Sequence, residues 1–315
     1  MLLEPITCYN LHSALKENTL GSAMLHTLAI ENYRSLRSIV LPLGKRAGVS
    51  RVLLVASLVS ISWAFAGCGV RDDPGDTSGA GTNFSGQATS TPLKTGAAEI
   101  LLFNGTGTSP NDVKAFEAIL KGQHVEYAKV NSSQLNQMSE SRMRGYRLLI
   151  VPGGNFIDIG NGLTPRATAN IRSAVQDGLN YLGVCAGAFF AGNSSANGLN
   201  LTSGVKFGFY AAEDRGIRKA AVPIAVADAP TLEHYWEDGP QLAGWGAVVG
   251  KYPDGTPAIV QGTCGSGWVI LTGVHPEAPA NWRRGMTFTT PASADTAYAW
   301  TLIQAALNRE SLPHY

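Results

Sequence analysis

Charge is scarce in this chain. Asp, Glu, Lys and Arg make up 15% of its 315 residues and nearly cancel, leaving a net charge of +1. With no basic excess there is no electrostatic reason to expect nucleic acid as a partner. Cysteine is scarce too. The four cysteines, at 8, 68, 185 and 264, show no Cys-x-x-Cys or similar spacing, so neither a metal nor another cofactor is expected. Glycine, by contrast, is abundant at 36 residues. Low charge with much glycine suits a compact α/β domain with many tight turns, and the length allows one large domain or two small ones.

The segment Tyr181-Leu182-Gly183-Val184-Cys185-Ala186-Gly187-Ala188-Phe189-Phe190 reads as a buried strand ending in a sharp turn into a helix. Side chains at Gly183 and Gly187 would collide with the backbone on either side of such a turn. A cysteine held there has its sulfur pushed out at the carboxyl edge of a sheet, beside the first N–H groups of the next helix, which favours a thiolate. Far downstream, Val269-Ile270-Leu271-Thr272-Gly273-Val274-His275-Pro276-Glu277 delivers a histidine from a strand end, with a carboxylate two residues later to orient it. Cys, His and Glu are the parts of an activated-thiol triad. Either residue alone would be read as a buried cysteine or a loop histidine; the pair, each at the end of a strand, points to a catalytic site. A Cys185–Cys264 disulfide is not expected, because it would consume the nucleophile.

Three segments precede any fold. Residues 1–44 form a doubtful extension in which Met24 to Leu36 resembles the opening strands of RecF-like ATPases, without the phosphate-binding loop and lysine that should follow. A wrongly assigned start, with translation beginning near Val49 or a little upstream, is the expectation. Residues 45–68 look like an export signal: Lys45, Arg46 and Arg51 make a basic start, and Val52 to Phe65 is an uncharged, mostly apolar stretch. Phe65-Ala66-Gly67-Cys68 resembles the lipobox of bacterial lipoproteins, with Phe65 where leucine is usual. That resemblance implies lipidation at Cys68 and a bacterial cell-envelope location, membrane-anchored on the periplasmic or extracellular face; an ordinary buried helix is the alternative. Residues 69–97, rich in Gly, Ser, Thr and Asp, read as a flexible linker.

From residue 98 to about 310, strand and helix signals alternate, which predicts a mainly parallel sheet with helices on both faces. Strands are expected at Glu99 to Phe103, Val125 to Val130, Arg147 to Val151 and into Cys185, with helices opened by Ser109-Pro110 and Thr164-Pro165. Beyond Gly192 the strand-like runs Val205 to Phe209, Val222 to Val226, Trp245 to Tyr252, Ala258 to Gln261 and Trp268 to Val274 predict a β-rich extension, closed by a helix over Ser293 to Leu307.

This order strongly resembles the class I glutamine amidotransferase-like fold, a flavodoxin-like three-layer α/β sandwich. The segments Asn104-Gly105-Thr106-Gly107-Thr108-Ser109-Pro110, Val151-Pro152-Gly153-Gly154 and Gly183 to Ala191 are most similar to the N-terminal domain of biotin–protein ligases and its stand-alone bacterial relatives. The resemblance implies Cys185 as nucleophile, His275 as base and Glu277 as its orienter. It also implies an oxyanion hole from the Gly154 and Ala186 N–H groups, with Gly153 shaping the approach. No Gly-Arg-Gly-Arg biotin-adenylate loop occurs, so biotin ligation is not implied. Glutaminases of this fold carry a glutamine after the elbow glycine; here Ala188-Phe189 stands there, so glutamine is not the expected substrate, and Phe189 with Phe190 is expected to line or support an apolar pocket, burial of both rings in the core beneath the elbow helix being the alternative.

Asn104, His234 and Tyr235 are further pocket candidates, the last two in a loop over His234 to Asp238 that lines the pocket or covers the sheet end. Trp282-Arg283-Arg284 is expected as a solvated surface pair, with an acidic substrate group as the alternative role, and Cys264 as a bystander in a turn. The function expected is a cell-envelope cysteine hydrolase acting on an amide or ester of a small molecule or peptide. Two alternatives stand beside it: a binding or regulatory module without turnover, and the thiol chemistry of a related group in which the elbow cysteine is oxidised or handles carbonyls.

Overall fold

Short, wholly apolar runs make the centre of the sheet. In the computed structural model, which describes residues 98–315, β1 (Ile100–Phe103), β3 (Leu148–Val151) and β4 (Asn180–Val184) are buried at every position, as parallel strands covered on both faces must be. The segments 1–44, 45–68 and 69–97 lie outside the described residues. With β2 (Tyr127–Val130) and β11 (Gly267–Thr272) these strands form a parallel half in the order β2-β1-β3-β4-β11, the flavodoxin-like arrangement. The antiparallel half follows on: β10 (Pro257–Cys264), β9 (Ala247–Lys251), β6 (Lys219–Val226) and β7 (Leu232–Glu237) complete one nine-stranded sheet. A separate two-stranded ladder joins β5 (Gly208–Phe209) to β8 (Pro240–Gln241).

The period of two along each strand sorts its side chains between two cores. Ile100, Leu102, Leu148 and Ile150 pack with Phe116 and Leu120 of α1 (Pro110–Gly122) and with Leu302 and Ile303 of α7 (Ala292–Asn308). Leu101, Phe103, Leu149 and Val151 pack instead with Ile171 and Val175 of α5 (Pro165–Gln176) and Phe190 of α6 (Ala186–Ala191). Three layers result. Ser109 caps α1 and Thr164 caps α5, each with proline in the first turn, which places the helix starts where their orphan N–H groups are satisfied.

Three short helices were not anticipated: α2 (Ser132–Gln137), α3 (Glu140–Met143) and α4 (Phe156–Asn161), capped by Asn131, Ser139 and Asn155. They are too short to show a 3.6-residue period. Val205 to Phe209 is strand only over its last two residues. His234 to Asp238, expected as a loop, is mostly strand: β7 pairs along its length with β6. The chain end is tied down, with Gln261 bonding Ser311 and Leu312 and the Tyr315 N–H donating to Val248 O at 2.9 Å. Among the described residues no helix is long and apolar enough to cross a membrane.

Candidate active site

Cys185 ends β4 in a conformation that L residues seldom adopt, with φ +49° and ψ −104°. Such a backbone costs about 1–3 kcal/mol and persists only where the surroundings enforce it. They do so here. The Cys185 N–H donates to Thr272 O of β11 at 2.8 Å, and α6 starts at once, packed so closely that a Cβ on Gly187 would lie 2.0 Å from Val151 O. The expected elbow is present, and its sulfur stands at the carboxyl edge of the sheet between β3 and β11. Cys185 is 5% exposed, with Sγ 3.5 Å from Glu237 O.

The loop after β11 brings His275 to this sulfur, and the His275 N–H donates to Tyr235 O of β7 at 2.8 Å. Nδ1 of the imidazole lies 2.9 Å from Glu277 Oε1 and 3.1 Å from Asp112 Oδ1 in the first turn of α1. With Nδ1 held by carboxylates, Nε2 is the nitrogen left to interact with Cys185. Burial works against a charged ring. Cys185, Glu277 and the Asp112 hydrogen bond outweigh it and hold the His275 pKa well above its ordinary value. Burial likewise opposes ionisation of both acids. His275 overcomes it for Asp112, whose pKa is lowered. For Glu277 burial wins and the pKa is raised, with the negative charge of Asp112 adding to the rise. Asp112, His275 and Glu277 also offer one metal-ligand atom each, all within 4.8 Å of one another.

Gly153 permits this assembly. A Cβ there would lie 2.2 Å from Asp112 Oδ1 and 2.6 Å from His275 Cε1. Next to it, Gly154 adopts φ +142°. Backbone bonds from Ser109 N to Gly153 O and from Asn155 N to Gly107 O pair the residues on either side, leaving the Gly154 N–H outside that ladder. Beside the triad lies a polar cavity of about 300 Å³ lined by Ser109, Asp112, Lys219, Tyr235, Glu237 and Trp282, among others. The Tyr235 hydroxyl bonds to Glu237, which also pairs with Lys219 at 3.5 Å. Burial and that bond push Tyr235 up to about 12. Trp282 meets the rings of Tyr235 and His275 edge-on, at 5.5 and 5.9 Å between centroids.

Residues 98–216 match the family described as biotin-protein ligase, N terminal. The similarity read from the sequence motifs is thereby borne out over the segment that carries Cys185. The biotin–protein ligase of Schizosaccharomyces pombe is 25% identical over 213 residues, 58% of this chain. This chain spans only 33% of that relative's length. Among solved structures, an exo-β-1,4-mannosidase from Opitutaceae bacterium strain TAV5 is similar at 14% identity and TM-score 0.44, over 65% of this chain and 36% of that one. A β-galactosidase from Halorubrum lacusprofundi is similar at 16% and 0.44, over 67% and 30%. A cytoplasmic protein from Salmonella typhimurium is similar at 13% and 0.42, over 65% and 98%.

The structure brings Cys185, His275, Glu277 and Gly153 together, with Ala186 and Gly154 next in the chain to Cys185 and Gly153 and Tyr235 at the cavity wall. It does not bring Asn104, which is exposed at the end of β1 with its N–H on Val130 O. His234 is fully buried on the other side of β7, 3.3 Å from Asp295; neighbours along a strand point to opposite faces, so it and Tyr235 cannot share the cavity. Phe189 and Phe190 belong to the core on the far face of the sheet from Cys185, and Phe189 stacks on Phe156 at 4.6 Å. Of the two readings of these rings, burial in the core holds, and the cavity beside the triad is polar instead. Arg283 is not a solvated surface residue: it is buried in an ion pair with Asp295, while Arg284 is exposed. Cys264 and Cys185 are both free thiols, and partial burial raises the Cys264 pKa.

Asp112 escaped the sequence reading. The signal that hides it is local: Ser109-Pro110-Asn111-Asp112 accounts for itself as a capped helix start, where an acid is favoured anyway.

Proposed function

We propose that residues 98–315 form a cysteine hydrolase of the amidase type, carried by a bacterial cell-envelope lipoprotein and acting on an amide or ester of a small molecule or peptide. The observation that carries this is the strained Cys185 backbone at the strand–helix elbow, with His275 at its sulfur and a carboxylate behind the imidazole. A residue is held at positive φ at the mouth of a sheet when its side chain must be presented. The thiolate attacks the carbonyl, His275 returns the proton to the leaving group, and the Gly154 and Ala186 N–H groups receive the oxyanion. Water then releases the acyl group. The missing biotin-adenylate loop argues against biotin ligation, and Ala188 in place of the amide reader argues against glutamine.

The test is an electrophilic activity-based probe on the purified full-length protein, with mass spectrometry of the adduct. Labelling of Cys185 that His275→Ala abolishes supports the reading; a Cys185 inert to every acyl electrophile sinks it. Incubation with glutamine should release no ammonia above a Cys185→Ala control. One observation favours the second reading, a binding module without turnover: Cys185 is 5% exposed and lies under the Glu237 backbone. The inert outcome belongs to that reading.

Anchoring has its own check. Radiolabelled palmitate should enter the wild-type protein and not Cys68→Ala; equal incorporation in both would remove the lipoprotein part and leave the hydrolase part standing.

A further inference from the structure

We propose that Asp112 is a second positioning residue for His275, sharing the imidazole Nδ1 with Glu277, so that the cysteine–histidine pair is backed by two carboxylates of different roles. This deepens the hydrolase reading and rests on His275 being the base of that site.

Geometry carries it first. Nδ1 has one proton to give and two acceptors within reach, Glu277 Oε1 at 2.9 Å and Asp112 Oδ1 at 3.1 Å. The hydrogen bond runs to Glu277, and Asp112 Oδ1, fully buried, is left without one. An unbonded carboxylate oxygen in a dry site is costly. It is tolerable here because it faces the edge of a ring that becomes positive. The chain holds this contact open: Gly153 leaves the space that any side chain would take from both Asp112 and His275.

Charge then separates the roles. The groups facing His275 are Cys185 from the elbow, Asp112 from α1, Glu277 from the loop after β11 and Tyr235 from β7. When Sγ gives its proton to Nε2, a thiolate and an imidazolium form. Two bare carboxylates beside them leave the buried cluster doubly negative, which burial disfavours. His275 lowers the pKa of Asp112 at the helix start, which favours its ionised form, whereas burial raises that of Glu277, which favours its protonation over that of Asp112. Asp112 is thus the counter-ion of the imidazolium and Glu277 fixes the ring. The only transfer is from sulfur to nitrogen.

The experiment follows the His275 imidazole nitrogens by NMR across pH in the full-length wild type, Asp112→Asn, Glu277→Gln and the double variant. His275→Ala identifies the resonance, and the Cys185 alkylation rate is read on the same samples. Asp112→Asn should lower the proton affinity of His275 about tenfold or more, and the double variant should lower it beyond either single one. Alkylation at mildly acidic pH should fall in step. A titration in Asp112→Asn that matches the wild type overturns the proposal. So does a Glu277→Gln shift as large as that of the double variant, which would leave Asp112 without a role. Should Asp112→Asn not fold, Asp112→Ser takes its place with the same readouts. A wild-type Cys185 that is never alkylated sinks the hydrolase reading alone, because the His275 titration still decides for or against Asp112.

Discussion

His275 is where opposing demands meet: burial favours the neutral ring, its neighbours Cys185, Glu277 and Asp112 favour the cation, and the neighbours win. The sign of its pH dependence follows. Its folded pKa is raised, so its contribution to stability is complete below its ordinary 6.5 and is lost as pH rises through the folded value. Glu277, also raised, works in the same sense, whereas Asp112, lowered from 3.8, contributes above that value and loses it as pH falls. The melting temperature of the wild type relative to His275→Ala should therefore shrink as pH climbs above neutral; a difference that grows with pH would contradict the charged ring. At the same scale, His275→Ala should slow probe reaction at Cys185 by about 10²–10⁴-fold, the ordinary worth of a general base. Glu277→Gln should cost less, since it removes an orienter and Asp112 remains. Rate measurements placing Glu277→Gln below His275→Ala would reverse the roles. Cys185, His275 and Glu277 were legible in the sequence because each sits in a short motif that explains it. Asp112 was not: its partner is 163 positions away, and only the packing of α1 against the loop after β11 joins them.

Elements follow the same division. The parallel strands could be read directly, since Ile100 to Phe103 and Leu148 to Val151 are unbroken apolar runs that only a doubly covered strand can bury. β7 could not. His234-Tyr235-Trp236-Glu237-Asp238 mixes charge with aromatics and reads as a loop, yet Tyr235 and Glu237 serve the cavity while His234 and Trp236 are buried behind it. What makes His234 tolerable there is distant in sequence: Asp295 of α7, which also takes the Arg283 guanidinium. That ion pair ties the loop carrying His275 and Trp282 to the closing helix, and Arg283 NH1 adds a bond to Thr290 O at 2.7 Å. Asp295→Ala strands a buried guanidinium, so it should destabilise the domain by about 3–5 kcal/mol, measured by urea unfolding. A loss under about 1 kcal/mol, typical of an exposed pair, would show that water reaches Arg283.

For the whole molecule, the decisive fact is where one chain segment returns. The family match ends at Gly216, but β11, fifty residues further on, lies between β4 and β10 in the middle of the sheet. It pairs in register with β4 from Val269 opposite Tyr181 to Thr272 opposite Val184, and it supplies the carbonyl that holds the Cys185 N–H. Without it, β4 becomes an exposed edge of wholly apolar residues, a template for aggregation. α7, which covers the α1 face of the sheet with Leu302, Ile303 and Ala306, is lost in the same cut. The motifs that make residues 98–216 recognisable therefore do not make them a folding unit. The antiparallel half is as much a part of the site as the elbow, giving Tyr235, Glu237 and Lys219 beside the His275 that follows β11. Expressed alone, a fragment of residues 98–216 should be insoluble or lack a cooperative thermal transition, and its Cys185 should show no dependence on His275 because none is present. Residues 98–315, by contrast, should melt in one step. A soluble, cooperatively melting 98–216 fragment would mean that β4 tolerates an open edge and that the two halves of the sheet fold separately.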